Sequence, residues 1–228
     1  MLGCVSSVLL PALFLSAFSQ PVAQQSAGKP EAPPPIPMPA ARADASYAIY
    51  ALLVLSGETA GPSWPHDLWL VSDTTITLAR PGRPCWAPTV NGQTPLLDTM
   101  NPHLAVQPAG EDRHDFDEIL LDFDKRCHER VALQPWKSAK PLHMLNDAQQ
   151  TEFERTRFPR DATTPDKYKG AAALYSFSEV YFNAHSTVAM VYVSTWCGST
   201  CGQGWWSAFA LREGHWKLLG WGSVSWIS

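Results

Sequence analysis

Four apolar segments, separated by short breaks, make up the C-terminal part of the chain. Val, Phe, Tyr and Trp are frequent in them, which is typical of β-strands. Short breaks join antiparallel strands, whereas parallel strands need a crossover of a dozen residues or more. The pattern therefore predicts an antiparallel meander. The segments are residues 174–182, 187–195, 205–211 and 215–227.

Residues 115–130 give the clearest helical signal in the chain. Phe116, Ile119, Leu120 and Phe123 follow one another at helical spacing and form one apolar stripe. Acidic residues crowd the start of this segment and basic residues its end, as the helix dipole favours. We therefore expect an amphipathic helix that buries the stripe.

Three further segments complete the predicted domain. Residues 44–55 are nearly continuously apolar, which fits a helix capped by its first residue or a buried strand. Residues 68–78 favour a strand or hairpin, and residues 148–158 favour a helix with Asp147 and Gln150 as its capping box. The predicted fold class is α+β, with helices packed on one face of an antiparallel sheet. A cone-shaped sheet of the NTF2 or cystatin type is the candidate by analogy.

The N-terminal residues predict export to the periplasm or the medium. Residues 1–19 carry no charged side chain and have the apolar core of a signal peptide, with cleavage after residue 19 or as late as residue 23. Residues 20–43 are rich in proline, which lacks the N–H needed for regular structure, so they are predicted to be a disordered spacer. Residues 44–228 have the length of one domain.

The number of cysteines agrees with export. Four of the five cysteines follow the predicted signal peptide, and an even number in an exported chain favours disulfides. Four cysteines allow three connectivities. The short spacing of Cys197 and Cys201 favours a disulfide between them, which leaves Cys85 to pair with Cys127 on the predicted helical stripe.

Cys197 and Cys201 have two alternative roles. A redox-active pair gains its reactivity from a helix N-terminus, but here strands are predicted on both sides. A metal site needs further ligands, and His128, His185 and His215 lie at no diagnostic spacing. A disulfide that closes a turn between strands needs no other residue. We therefore expect a structural disulfide, no metal and no cofactor, with redox or copper handling as the alternative.

Tryptophan is the second signal for function. Ten tryptophans occur in the chain, and exported binding proteins often present aromatic rings to a sugar or peptide. Trp205 and Trp206 are consecutive, so in a strand they point to opposite faces. Trp221 and His215 share one face of the last strand region. These four residues are the candidate ligand-binding positions, and filling of the core is the alternative.

Glu179 is the candidate catalytic residue. It lies in a predicted strand between Phe177 and Tyr181, where burial would raise its pKa and suit a general acid or base. No second carboxylate or histidine is placed beside it by spacing. The acidic residues of the helix at 115–130 are expected to face solvent, because no calcium-loop spacing accompanies them.

The segment from Tyr175 to Ser228 resembles a family of uncharacterised exported bacterial proteins. The resemblance rests on F-S-E-V-Y-F-N at 177–183, A-M-V-Y-V-S-T-W-C-G-S-T-C-G-Q-G at 189–204, and W-I-S at 226–228. In that family a C-G-x-x-C-G-x-G turn lies between two strands, followed by a tryptophan-bearing strand and a terminal W-[IV]-S. The resemblance implies an exported, disulfide-clipped α+β domain and brings no activity, substrate or catalytic residue.

Together these features favour a non-enzymatic envelope or extracellular module that binds an unknown ligand, with carbohydrate or an envelope component as the expected class. The net charge of −4 argues against a broad basic surface for nucleic acid. No later apolar run is long enough to predict a transmembrane helix. The alternatives are a hydrolase that uses Glu179 and a redox or copper-handling protein that uses Cys197 and Cys201.

Overall fold

The computed structural model describes residues 34–55, 67–78, 85, 100–138, 140–156, 166–198 and 201–227. Its helices are α1 (Ala40–Leu55), α2 (Pro102–Ala105), α3 (Arg113–Arg126) and α4 (Asp147–Thr156). Its strands are β1 (Ile36–Pro37), β2 (Leu68–Ser72), β3 (Val106–Gln107), β4 (Val131–Ala132), β5 (Leu142–Leu145), β6 (Ala171–Phe177), β7 (Tyr181–Phe182), β8 (Val188–Gly198), β9 (Cys201–Arg212), β10 (His215–Leu219), β11 (Gly222–Ser223) and β12 (Trp226–Ile227). The predicted signal peptide lies outside the described residues.

The main sheet has the strand order β10-β9-β8-β6-β2-β5, with β7 paired to β8 and β12 paired to β9. The pairs β6–β8, β8–β9 and β9–β10 are antiparallel, so the C-terminal meander is confirmed. β2 is parallel to both β5 and β6. The sheet is therefore mixed, and the prediction of an antiparallel sheet is wrong at this end. Long connections, one of them containing α4, supply the crossovers that parallel pairing needs.

Strand β8 is buried on both of its faces. Ala189, Val191 and Val193 lie in a hydrophobic cluster with α1, whereas Met190 and Tyr192 lie in a cluster with α3. Helices therefore cover both faces of the sheet, and the prediction that they pack on one face is wrong. The apolar residues of β8 are continuous rather than alternating, as is typical of a strand buried on both sides.

Helix α1 begins before the predicted domain boundary. Residues 44–55 are helical, which settles the choice between helix and strand, but α1 starts at Ala40. Upstream of it, Ile36 and Pro37 pair in parallel with β4. The last residues of the predicted proline-rich spacer therefore take part in the fold, while residues 20–33 lie outside the described part.

Helix α4 covers the same side of the sheet as α3. Its Phe153 is fully buried in a cluster with Leu70 and Leu174. The next residues in those strands, Val71 and Tyr175, face α1, so Leu70 and Leu174 point to the opposite side of the sheet. The capping box lies one residue earlier than predicted. The Asn146 side chain accepts from the Gln149 N–H at 2.9 Å, and the Gln149 side chain accepts from the Asn146 N–H at 3.0 Å.

The apolar stripe of α3 is confirmed, because its four predicted residues are all buried. Its acidic residues do not all face solvent, as the sequence had suggested. Asp115 Oδ1 accepts from Asn183 Nδ2 at 2.7 Å, and Glu118 Oε2 accepts from the Ala184 N–H at 2.9 Å. The α3 carboxylates thus hold the turn between β7 and β8. Across the described ranges, no helix combines the length and apolarity needed to span a bilayer.

Candidate functional site

An interruption between β6 and β7 creates the site that contains Glu179. β6 pairs with β8 up to Phe177 opposite Val193, and β7 resumes the pairing at Tyr181 opposite Met190. Three residues, 178–180, therefore lie opposite two of β8, which is the arrangement of a β-bulge. Such a break turns a side chain away from the regular alternation of the strand.

Ser178 bridges the gap in the ladder. Its N–H donates to the Tyr192 carbonyl oxygen at 2.9 Å, and its Oγ accepts from the Tyr192 N–H at 2.9 Å. The hydroxyl in turn donates to the Glu179 carbonyl oxygen at 2.7 Å. A side-chain oxygen thus replaces a backbone acceptor, and the backbone N–H groups of Ser178 and Tyr192 both remain hydrogen-bonded.

Glu179 forms an ion pair with Arg126 at the end of α3. Arg126 Nη1 donates to Glu179 Oε1, while Arg126 Nε and Nη2 donate to the two carboxylate oxygens of Asp122 at 2.8 and 3.0 Å. The side chain of Arg126 is 9% exposed and that of Glu179 is 2% exposed. The planar guanidinium therefore joins two carboxylates in a largely dry environment.

Asp122 extends the network to α1 on the opposite face of the sheet. Arg42 Nη2 donates to Asp122 Oδ2 at 2.6 Å and to the Val180 carbonyl oxygen at 2.8 Å. Arg126 donates to the same carbonyl at 2.9 Å, and the Phe182 N–H donates to Asp122 Oδ2 at 2.9 Å. These contacts thus connect α1 and α3 around β7 through a series of ion pairs, Glu179–Arg126–Asp122–Arg42, which is called the ionic network below.

Burial sets the protonation behaviour of the ionic network. It raises the pKa of the Glu179 carboxyl to about 7, against the opposing effect of Arg126 and Arg42. Burial also favours a higher pKa for Asp122, but the hydrogen bonds from Arg126 and Arg42 outweigh it and lower that pKa. Burial raises the pKa of Tyr181 as well, so its hydroxyl stays protonated. The two carboxyls therefore differ in the pH range in which they ionise.

The geometry of Glu179 limits what it can do chemically. One of its oxygens is paired with Arg126, and Oε2 is buried without a hydrogen-bond partner in the described part of the chain. A general acid or base must reach the proton that it transfers, and a side chain that is 2% exposed does not reach a substrate in solvent. The arrangement instead suits a buried electrostatic link between helices. No local sequence pattern predicted that Arg42, Asp122 and Arg126 join Glu179 in the ionic network.

Trp206 lies in the buried cluster on the α3 side of the sheet, and the half-buried Trp221 packs against that cluster. Trp206 is 4% exposed, and its ring centroid lies 5.9 Å from that of Phe123. Trp221 packs edge-to-face on Phe116 at 5.6 Å, and its Nε1–H donates to Asp112 Oδ2 at 2.7 Å. Core filling, the alternative expectation, therefore describes Trp206, whereas Trp221 keeps part of its surface exposed.

Trp205 and Trp216 are half-buried on the other side of the sheet, where both pack against the α1 cluster. His215 is exposed at the start of β10 and pairs with Arg212. Since His215 precedes Trp216, its side chain lies on the α3 side. The four predicted ligand-binding residues therefore do not form one surface: Trp205 lies on one face of the sheet and the other three on the opposite face.

Comparison with known proteins adds no assignment. No family model, curated protein or solved structure matches this chain.

Both predicted disulfides are present. Cys197 and Cys201 close the hairpin between β8 and β9, with Cα atoms 5.1 Å apart. Gly198, between them in sequence, has a φ of +143°, a backbone conformation that L side chains rarely adopt. The second disulfide joins Cys85 to Cys127, with Cα atoms 5.8 Å apart, and so ties a distant segment to the end of α3.

The described residues contain a group of metal-ligand side chains at the second disulfide rather than at the hairpin. Cys85 Sγ, Cys127 Sγ and a ring nitrogen of His128 lie within 4.8 Å of one another. From the sequence, His128 was a candidate ligand only for the hairpin pair Cys197 and Cys201. The adjacency of His128 to Cys127 in sequence could have indicated two of the three ligands. The third, Cys85, is 42 residues from Cys127, so no local pattern could have indicated it.

The raised pKa of Glu179 leads to a testable pH dependence. A carboxyl whose pKa is raised on folding contributes stability below its unfolded pKa and loses that contribution as the pH rises through the folded value. Between the ordinary value of 4.5 and about 7, the wild type should therefore lose stability relative to E179Q, by about 3 kcal/mol over the window. Denaturant titrations of both proteins across this range measure the difference.

The titration of Asp122 does not disturb this comparison. The pKa of Asp122 is lowered, so its contribution to stability is present above pH 3.8 and is lost as the pH falls through its folded pKa, opposite in sign to that of Glu179. The wild type and E179Q both contain Asp122, so its contribution cancels in the difference between them. A stability difference between the two proteins that stays flat from 4.5 to 7 would contradict the raised pKa of Glu179.

Proposed function

We propose that this chain is an exported, non-enzymatic binding domain whose ligand surface lies on the α1 side of β9 and β10. The observation that carries the proposal is a strip of exposed and half-exposed apolar side chains at this edge of the sheet, called the apolar strip below. It consists of Leu211, which is 36% exposed, Leu218, which is 53% exposed, and the half-buried Trp216.

The register of the strands supports a common orientation of these side chains. Trp216 pairs with Leu211, and Leu218 pairs with Phe209, whose side chain lies in the α1 cluster. Residues that pair directly in antiparallel strands point to the same face of a sheet. The apolar strip therefore continues the α1-side core outward to the edge strand.

The proposed ligand class is carbohydrate of the cell envelope. The ring of Trp216 lies 6.0 Å from that of Phe182, which Arg42 covers at 4.9 Å. A rigid indole that is half exposed offers an apolar surface to the face of a sugar ring, and a nearby guanidinium offers donors to its hydroxyls. The two disulfides favour an oxidising compartment, in agreement with the expected export and with the family resemblance.

Binding to envelope polysaccharide tests this proposal. Co-sedimentation with purified peptidoglycan and a glycan array should both detect the wild type, and W216A should reduce the affinity by at least about tenfold, since buried-edge tryptophans are common hot spots. The matched control is L121A, because Leu121 is 71% exposed on α3, on the opposite side of the sheet. No glycan binding by the wild type, or equal binding by W216A, would contradict the proposal.

The two alternatives have weaker support. A hydrolase that uses Glu179 would need the carboxyl to reach substrate, whereas the ionic network holds it in the interior. A redox or copper-handling role for Cys197 and Cys201 would need a labile disulfide or further ligands at the hairpin, and the described metal-ligand group lies elsewhere. The NTF2 or cystatin analogy stays a prediction about the fold.

A further inference from the structure

The end of α3 brings together three side chains whose chemistry is not used by the proposed binding surface. Cys127 is the first residue after the helix and is fully buried, His128 follows it, and Cys85 approaches from a distant segment. Their ligand atoms lie within 4.8 Å of one another. Thiolate sulfur and imidazole nitrogen are the ligands that Zn2+ and Cu+ prefer.

We propose that the Cys85–Cys127 disulfide is the closed form of a Cys2His site, and that its reduction opens the site to a soft metal ion such as Zn2+. In the first step a dithiol reductant transfers two electrons and two protons, so the S–S bond breaks, two thiols form and the reductant becomes a disulfide. In the second step the metal ion displaces the two thiol protons and binds both sulfurs and His128.

The movement that this requires is small. Two thiolates on a tetrahedral zinc ion, each at about 2.3 Å, have their sulfurs about 3.8 Å apart. The three ligand atoms already lie within a 4.8 Å group, so opening the S–S bond needs side-chain rotation rather than a rearrangement of α3. Cys85 is only half-buried, which gives the ion a route to the site.

The end of the helix favours a cation over a bare pair of thiolates. Cys85 Sγ lies 3.0 Å from the Asp124 carbonyl oxygen and 3.5 Å from that of Phe123, both in the last turn of α3. The C-terminus of a helix carries partial negative charge, which stabilises cations and opposes anions. The end of α3 therefore favours a bound cation at this position.

Cobalt binding to the C197A/C201A chain tests the proposal, because after the predicted signal peptide, which contains Cys4, this variant retains only Cys85 and Cys127. After reduction by a dithiol and its removal under argon, the chain should bind one Co2+ and develop thiolate-to-metal charge-transfer absorption. The oxidised chain should bind none. H128A should weaken binding by at least about tenfold. H103A should leave the affinity unchanged, because His103 is not one of the three grouped ligand residues and its Nε2 lies 2.9 Å from Asp124 Oδ1.

A thermal readout separates native binding from capture by an unfolded chain. Zn2+ should raise the melting temperature of the reduced C197A/C201A chain by mass action on the folded state, and H128A should make the rise smaller at the same Zn2+ concentration. The proposal is overturned if the reduced chain binds no Co2+, if H128A binds as tightly as its parent, or if Zn2+ leaves the melting temperature unchanged.

Discussion

R126M is expected to lower the free energy of unfolding by about 3 to 5 kcal/mol at pH values above the Glu179 pKa of about 7. Arg126 neutralises two carboxylates at once. Without it, Asp122 keeps the Arg42 guanidinium, but Glu179 loses its side-chain hydrogen bond and Oε2 already has none. Removing one partner of a buried ion pair costs far more stability than replacing both partners by apolar residues, because the remaining charge is buried without a partner. Denaturant unfolding measures the loss.

The cost of R126M should depend on the charge of Glu179. Arg126 lowers the pKa of Glu179, so that pKa should be higher in R126M than in the wild type. Once the pH falls below this higher value the carboxyl is protonated, the uncompensated charge disappears, and part of the lost stability should return. The double variant R126M/E179M should be more stable than R126M alone, because a packed apolar pair often matches a buried ion pair in stability. If R126M/E179M is no more stable than R126M, the stability lost in R126M does not come from the unpaired carboxylate of Glu179.

R113M is the matched control on the same helix. Arg113 pairs with Asp117 one turn later, but their side chains are 63% and 54% exposed. Exposed pairs of this kind contribute about 0 to 1 kcal/mol. A loss from R113M as large as that from R126M would show that burial of the ionic network is not the cause.

Local periodicity explains which parts of the fold were accessible from the sequence. The α3 stripe of Phe116, Ile119, Leu120 and Phe123 was found because an isolated helix must place residues three and four apart on one face. The β8–β9 hairpin was found because a short polar, glycine-rich break joins two apolar runs. Both signals lie within a few residues along the chain, so neither depends on tertiary contacts.

The sheet's second layer was missed although its signal was present. Residues 188–193 are all buried, and a run without polar alternation indicates a strand covered on both faces. The apolar run was visible in the sequence, but all helices were predicted to lie on one face of the sheet. Parallel pairing of β2 was not accessible, because its partners β5 and β6 are reached only through long connections whose paths no local pattern predicts.

In the candidate site, too, local features were visible in the sequence and long-range contacts were not. Glu179 was singled out from its apolar neighbours in sequence, and its burial and raised pKa follow that expectation. Its partner Arg126 is 53 residues away, and Arg42 is 80 residues from Asp122. Arg126 looked like a typical basic residue at a helix end, so nothing local distinguished a buried guanidinium from a solvated one.

Loss of the Cys85–Cys127 disulfide in C85A/C127A is expected to lower the free energy of unfolding by about 4 kcal/mol, against about 2 kcal/mol for C197A/C201A. The sequence separations are 42 and 4 residues. In the chain-entropy model a disulfide restricts the unfolded chain more when it closes a longer loop. Alanine also avoids a polar group at the buried Cys127 position. Unfolding of both variants under non-reducing conditions measures the two losses.

Which variant loses more stability is the decisive result. The hairpin disulfide joins β8 and β9, which are also held together by a long antiparallel ladder. β8 and β9 pair from Val188–Ala210 to Gly198–Cys201, so backbone hydrogen bonds keep the hairpin closed without the sulfur link. Cys85, by contrast, lies far along the chain from α3, and its disulfide is a covalent tie between them. A larger loss for C197A/C201A than for C85A/C127A would mean that local strand geometry, rather than loop closure, sets what each disulfide contributes.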